Sequence, residues 1–297
     1  MPKGWLENFY HKNLNIIYGD VTDYDSVLEA VQNCNYVFNL AASISVPYSF
    51  KNPQTFIDTN ILGALNIFRS SSLKKNKIKK IIQISSSEVY GNDLINNSNL
   101  LHEKTITVSE SPYAASKIAA DNLAISMFKA TSLPVVVARP FNTFGPRQSL
   151  RAVIPTIITQ CLNENCKTIK LGNLNTLRNF NYIKDTIEAF YKVIKKNNWN
   201  GNVVNIGSNS SFSINDTVKM IQSLTKTNKK IMKDSKRVRP SKSEVQLLSA
   251  DNKLARKIFK WKPHFIGKEG FKKGLKETVD WFKKNKKIIN YKNDYTI

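Results

Sequence analysis

Lys79-Lys-Ile-Ile-Gln-Ile-Ser-Ser-Ser-Glu-Val-Tyr-Gly91 is the stretch whose reading decides the fold. Its first half, with Ile81, Ile82 and Ile84, is apolar without alternation, as in a strand buried on both faces. It then runs into three hydroxyls, Ser85, Ser86 and Ser87, and an ionisable carboxylate, Glu88. One account of Glu88 is a solvated loop residue. The other is that it takes a proton from something bound at the strand's carboxyl end, the edge where parallel α/β sheets hold ligands.

Working outward, strands and helices alternate. Leu14–Asp20 reads as a buried strand ending in Gly-Asp, followed by a helix carrying Val27, Leu28 and Val31 and capped by Asp23 or Asp25. Asn35–Ala42 reads as a second strand and Asn52–Lys75 as one long helix with Phe56, Asn60, Ala64 and Ile67 along one face. After the strand at Lys79–Ser86 comes a helix rich in small residues, opening at Pro112, and then a continuous fourth strand through "LPVVVARPFNTFG", Leu133–Gly145. Continuously apolar strands alternating with helices predict a doubly wound parallel sheet covered on both faces. Beyond Gly145 shorter strands (Thr168–Gly172, Asn202–Gly207) mix with helices (Ile183–Lys196, Ser213–Leu224, Lys268–Lys287). This divides the chain into a sheet domain, 1–145, and a smaller α/β lobe, 146–297, from which some segments return to the first sheet. Gly267, Gly270 and Gly274 read as a loop entering the terminal helix.

The chain has 297 residues, 41% of them hydrophobic and 10% aromatic, enough for a core and unlike a disordered chain. No apolar run approaches the ~20 residues of a membrane helix, and the first residues lack the apolar centre of a secretion signal. A cytoplasmic protein without membrane contact is the expectation. Cys34, Cys161 and Cys166 form no metal-ligand pattern, and no metal is expected. The net charge is +23, from 45 Lys+Arg against 22 Asp+Glu. The lysines are dispersed without interleaved aromatics, which argues against nucleic acid; a phosphorylated small molecule gains equally from a positive field.

The polar residues fall at the strand ends. Tyr113 and Lys117 lie at i and i+4, facing the same way. An ammonium one turn from a tyrosine stabilises the phenolate, which lets it act as a base near neutral pH. Standing alone, such a pair is more often a surface feature of an amphipathic helix; here it follows the Ser85–Glu88 segment in the chain. Leu40, Ala41 and Ala42 end the second strand, where small residues let backbone approach a flat ring. Asp20, with Val21 beside it, ends the first, where an acid commonly meets an adenosine. Asn142 offers a polar contact. Arg178 and Arg239 either grip a diphosphate through their guanidinium forks or stand solvated.

Taken in order, "GDVTD", "LAA", "DTNILGALNIF", "SSSEVYG", "SPYAASKIAAD", "RPFNTFGPRQS", "RNFNYIKD", "NIGS" and "RPSKSEV" resemble the extended short-chain dehydrogenases/reductases of the nucleotide-sugar epimerase/dehydratase family over nearly the whole chain. "ISVPYSF" and "VIPTIITQ" look most like bacterial NAD-dependent 4,6-dehydratases acting on UDP-N-acetylglucosamine-type sugars in legionaminic acid pathways. The resemblance implies a Rossmann-like sheet, NAD as cofactor, a nucleotide-diphosphate sugar as substrate and a homodimer built from the helices around Ile61 and Tyr113. It implies catalytic roles for Ser86, Ser87, Glu88, Tyr113 and Lys117. It implies cofactor contacts at Asp20, Val21, Leu40, Ala41, Ala42, Asn60, Ser85, Tyr113 and Lys117, and substrate contacts at Asn142, Arg178 and Arg239. A glutamate before "VYG" separates 4,6-dehydratases from most epimerases, although UDP-glucuronate decarboxylases carry it too.

Three positions depart from the family pattern. Ser86 stands where threonine is usual, Ser87 where some dehydratases have aspartate, and Asn179 where the pattern reads Arg-Asp-Phe. Glu88 then has to manage both proton transfers of the elimination. The family's opening strand, Gly-x-x-Gly-x-x-Gly turn and helix have no counterpart here, so the expectation is a sheet lacking its first β-α-β unit, an N-terminally truncated form with an orphan strand edge. A nucleotide-sugar 4-epimerase, a UDP-glucuronate decarboxylase and a non-catalytic nucleotide-sugar-binding protein are the rival readings.

Overall fold

The computed structural model describes residues 4–6, 9–73, 76–92, 100–237 and 243–285. The chain runs through α1 (Tyr24–Val31), β1 (Tyr36–Asn39), α2 (Val46–Lys51), α3 (Pro53–Phe56), a π-helical turn (Ile57–Leu62) and α4 (Gly63–Ser71). After β2 (Lys80–Ile84) come a 3-10 turn (Ser87–Tyr90), α5 (Pro112–Thr131), β3 (Val135–Pro140) and β4 (Asn142–Phe144). The rest comprises α6 (Val153–Leu162), β5 (Thr168–Leu171), β6 (Leu177–Tyr182), α7 (Ile183–Lys195), β7 (Val203–Ile206), β8 (Ser211–Ser213), α8 (Ile214–Thr225), β9 (Lys230–Lys233), β10 (Leu247–Leu248), α9 (Lys253–Phe259) and α10 (Gly267–Lys284).

The first sheet has the order β1-β2-β3-β7, every pair parallel, with Val37 opposite Ile81, Ile82 opposite Val136 and Ala138 opposite Val204. Its unbroken apolar pattern has the expected cause. Ile81, Val135 and Val137 pack with Phe68, Ala120 and Ala124 on one face. Their neighbours Ile82, Val136 and Ala138 pack with Ala189, Val193 and Trp261 on the other. Both faces are covered, so no polar alternation is tolerated. A second sheet runs β10-β6-β4 with β8 antiparallel on β6, and β5 pairs with β9. Around it Phe144, Phe180 and Phe271 stack within 6.2 Å of one another in a core shared with Ile154 and Leu275.

Four expectations are corrected. Leu14–Asp20 is not a strand: among the described residues nothing pairs with it, and an extended run with no ladder neighbour is not a strand. β1 consequently lies at the sheet edge, with Phe38 and Leu40 exposed. The long helix predicted over Asn52–Lys75 is broken into α3, a π turn and α4, because Asn52 ends α2 and caps α3 and the Ile57–Leu62 backbone bulges. The continuous strand Leu133–Gly145 is two strands. β3 stays in the first sheet, whereas β4 leaves at Phe141 to pair with β6. That switch opens a crevice at the sheet's carboxyl edge. Finally, Gly267, Gly270 and Gly274 belong to α10 itself rather than a loop. A Cβ on Gly270 would fall 2.5 Å from the Phe265 carbonyl carbon and one on Gly274 2.9 Å from the Phe144 ring, so these glycines permit close helix packing.

Candidate active site

A cavity of about 570 Å³ lies where β2 and β3 end and β4 begins. It is lined by Ser85, Ser86, Ser87, Glu88, Tyr113, Asn142 and Arg178, seven of the residues singled out from sequence. Local chemistry explains their placement. Ser85 ends β2, its N–H donating to the Ala138 carbonyl at 2.8 Å. Ser86 caps the 3-10 turn, its Oγ accepting from the Glu88 N–H at 3.2 Å. That turn carries Glu88 into the cavity wall and buries Val89 and Tyr90 behind it.

Tyr113 is the second residue of α5, after Pro112, and the helix is capped by Ser111 Oγ accepting from the Ala114 N–H at 3.1 Å. The positive end of the helix dipole therefore lies at the phenol, where it favours phenolate. Phe56 stands edge-on to the Tyr113 ring at 6.1 Å. Lys117 is one turn further on, 4% exposed, with Nζ donating to the Ile84 carbonyl at 2.9 Å. Burial pulls its pKa down to about 8, and Asp121 opposes that pull. Asn60 ties this region together from the π turn: Oδ1 accepts from the Ser43 N–H (2.8 Å), and Nδ2 donates to the Ser43 carbonyl (3.1 Å) and Ser116 Oγ (2.8 Å).

The structure separates the remaining sequence candidates from the cavity. Leu40 and Ala41, just past the end of β1, and Asp20 are exposed. Asp20 Oδ1 accepts from the N–H and hydroxyl of Thr22, both at 2.9 Å. Val21 packs against Gly63, where a Cβ would fall 2.7 Å from its side chain. Arg239 lies outside the described residues. Arg178 reaches Glu244 Oε1 at 3.4 Å and donates to the Leu177 carbonyl at 3.0 Å.

Sequence reasoning missed part of the cavity wall. Gln148, Arg151, Arg237 and Glu244 also line it. Arg237 is paired with Asp234 at 3.1 Å. Three arginines against Glu88 and Glu244 leave this wall net positive, suited to an anionic ligand. Each missed residue stands in or beside a family-like segment ("RPFNTFGPRQS", "RPSKSEV"), but no spacing rule connects those segments.

The chain is similar to known proteins along most of its length. The family model for GDP-mannose 4,6 dehydratase matches residues 3–278. A human protein named dTDP-D-glucose 4,6-dehydratase is 31% identical over 301 residues, covering 97% of this chain and 80% of that one. A Dictyostelium discoideum protein of the same name is 36% identical over 220 residues; that match takes in 70% of this chain and spans half the length of the relative. A UDP-N-acetyl-alpha-D-glucosaminuronate decarboxylase from Bacillus cytotoxicus is 29% identical, covering 95% of this chain and 90% of that one. Among solved structures, a dTDP-glucose 4,6-dehydratase from Bacillus anthracis in complex with NAD superposes with a TM-score of 0.80 at 26% identity, covering 95% of this chain and 83% of the other.

Proposed function

The chain belongs to the GDP-mannose 4,6 dehydratase family of NAD-dependent nucleotide-sugar enzymes, and from that premise we propose that it is a nucleotide-sugar 4,6-dehydratase acting on a UDP-N-acetylglucosamine-type substrate. The observation that carries the proposal is Glu88 in the same cavity wall as Tyr113, at the carboxyl end of β2. In this reading Tyr113 Oη, as phenolate, takes the proton of the sugar 4-hydroxyl while Lys117 holds the negative charge. Oxidation at C4 acidifies the C5 proton. Glu88 removes that proton and delivers it to the 6-hydroxyl, which leaves as water; Tyr113 gives the proton it took from the 4-hydroxyl to solvent, and C5 takes one back from solvent. NAD, held beside Ser85, Tyr113 and Lys117, would supply the redox chemistry, the hydride given up at C4 being the one returned at C6. Ser86 holds Glu88 in place, and Ser87 and Asn142 offer hydrogen bonds to the sugar. Arg178, with Arg237 and Arg151, balances the diphosphate, and Arg239 is a further candidate for that contact.

The residues present fit NAD at its reacting end. The Lys117 ammonium has three donors, of which one goes to Ile84. Ser85, Ala41 and Ala42 are small enough for a flat ring to lie close, and Asp20 and Val21 are the residues this reading gives to the adenosine. Further parts of the proposal are two lobes dividing near residue 145, a homodimer through the helices around Ile61 and Tyr113, where Ile57 and Leu62 are exposed, and a cytoplasmic setting. No helix among the described residues is long and apolar enough to cross a membrane.

A 4-epimerase would use Tyr113 and Lys117 without needing Glu88, and a decarboxylase would act on a uronate. Incubation with NAD and UDP-N-acetylglucosamine, read by NMR, separates the three: the expected product is the 4-keto-6-deoxy sugar, one water lighter. Glu88→Gln is expected to slow its formation by ~10²–10⁴-fold; product at the normal rate would remove Glu88 from the mechanism. A second reading, a nucleotide-sugar-binding protein without catalysis, draws on the unpaired edge of β1 and the exposure of Leu40 and Ala41. Tight nucleotide-sugar binding with no measurable affinity for NAD in a titration would favour it.

A further inference from the structure

Tyr113, Lys117 and Asp121 occupy successive i, i+4 positions on α5, one above the other on the same face. The first lines the cavity, the second is buried behind it, and the third is 1% exposed. The Asp121 carboxylate is fixed from two other elements. Ser85 Oγ donates to Oδ2 at 2.8 Å and Arg139 Nε to the same oxygen at 3.0 Å. Arg139 is held in turn: its second nitrogen donates to Tyr90 Oη at 3.0 Å, and Tyr90 Oη donates to Asn205 Oδ1 at 2.7 Å. Asp121 Oδ1, also fully buried, has no hydrogen-bond partner among the described residues. A carboxylate oxygen in that condition is costly unless a cation nearby compensates it.

The charges around this point can be counted. Lys117 and Arg139 bring two positive charges; burial pushes the Asp121 pKa up against the pull of Arg139, Ser85 and Lys117, and as a carboxylate it brings one negative charge. The cluster is thus net positive while Tyr113 is a phenol and neutral when Tyr113 is a phenolate. The remaining ionisable groups around it are Tyr113 itself on α5, Glu88 and Tyr90 on the 3-10 turn, and Glu103, whose Oε1 accepts from the Asn205 N–H at 2.8 Å. Burial pushes the Tyr90 and Glu103 pKa values up, which favours their neutral forms.

We propose that Asp121 is a positioning residue of the active site: held by Arg139 and Ser85 one turn beyond Lys117, its carboxylate keeps Lys117 charged, and through Lys117 it poises Tyr113 to form the phenolate. The proposal rests on the role given above to Tyr113. It also accounts for a lysine tolerated in the second turn of a helix, near the positive end of its dipole. The Asp121 charge offsets the dipole there.

The test follows Lys117 directly in the full-length protein without substrate, through the ¹³Cε resonance of labelled lysine, assigned with Lys117→Arg. The wild-type midpoint is expected near pH 8. Asp121→Asn removes the negative charge and is expected to lower that midpoint by a pH unit or more, with the alkaline limb of kcat moving down alongside it. Asp121→Glu, which restores the charge, is expected to return the midpoint toward the wild-type value. Arg139→Gln removes a positive charge and is expected to raise it. A purely structural role would not move the midpoint in opposite directions. An unchanged midpoint in a folded Asp121→Asn or Arg139→Gln protein overturns the proposal, and either variant decides if the other fails to fold. Because the resonance needs no turnover, a shift without any dehydratase product would refute the proposed activity while leaving the Asp121–Lys117 coupling standing.

Discussion

Raising the pH should stabilise this fold through one residue, Lys117. Its ordinary pKa is 10.5, and burial brings it to about 8 in the native state. Below about 8 both folded and unfolded chains hold the proton, and the native state carries the full cost of a buried ammonium. Between about 8 and 10.5 the unfolded chain still holds the proton while the native chain has released it, so stability rises with pH. The gap, at 1.36 kcal/mol per pH unit, is worth about 3 kcal/mol in total, of which about 2 kcal/mol is recovered between pH 7 and pH 9.5. That is a large fraction of the roughly 5–15 kcal/mol that holds a domain folded. The assay is urea denaturation at half-unit pH steps on wild type and Lys117→Met. Groups that do not interact with Lys117 cancel in the difference; Asp121, whose charge acts on Lys117, does not, and it sets the residual curvature. The difference between wild type and variant should climb toward wild type as pH rises from 7 to 9.5. A flat difference, or one that falls, would show that Lys117 is not held against its ordinary ionisation and would remove the electrostatic basis for its partnership with Tyr113.

Two other outcomes follow from named contacts. Tyr113→Phe keeps the ring against Phe56 and should cut turnover by ~10²–10⁴-fold; near-normal turnover by product NMR would exclude Tyr113 as the base. Gly201 has φ +73°, and a Cβ there would lie 1.9 Å from the Phe128 ring, so Gly201→Ala should cost about 2–4 kcal/mol in urea denaturation through backbone strain and overpacking, and an unchanged midpoint would count against this packing.

The parts of the fold legible in the sequence are those that local pattern dictates. β2 and β3 were marked by unbroken Ile and Val because both faces are covered, and α5 by Pro112 and the small residues that bring it close to β3. The cavity residues from Ser85 to Glu88 could be read because one short segment carries them all. What was not legible depends on distant partners. Whether Leu14–Asp20 becomes a strand depends on a neighbour to pair with, not on its own apolar residues. The split of Leu133–Gly145 into two strands depends on β6, which arrives some forty residues later to claim Asn142–Phe144. Asn60 falls on the face of the predicted long helix, whereas the π turn swings its amide onto Ser43 and Ser116, 17 and 56 residues away. The Tyr90–Asn205 bond spans 115 residues. No periodicity encodes contacts of that kind.

The two ends of the cavity are built on different physics, and the proposed reaction uses the difference. At the α5 end, Ser85, Tyr113 and Lys117 rest on buried groups from three elements, and Asp121, Arg139 and Tyr90 bond one another so that none can move alone. Such an arrangement suits a proton transfer, whose rate depends on sub-ångström placement. At the far end, Arg178 and Arg237 are held by Glu244 and Asp234 through ion pairs that reach the cavity wall. Both pairs are largely shielded from water, so either arginine leaves its carboxylate only for an acceptor that replaces the lost negative charge. A diphosphate, which accepts bidentate hydrogen bonds from guanidinium better than a single carboxylate oxygen at 3.4 Å does, can draw Arg178 from Glu244 without disturbing the α5 end. Binding strength and catalytic geometry are then tuned by separate residues. Substitutions at Arg178 should therefore raise KM with little change in kcat, and substitutions at Asp121 should do the reverse.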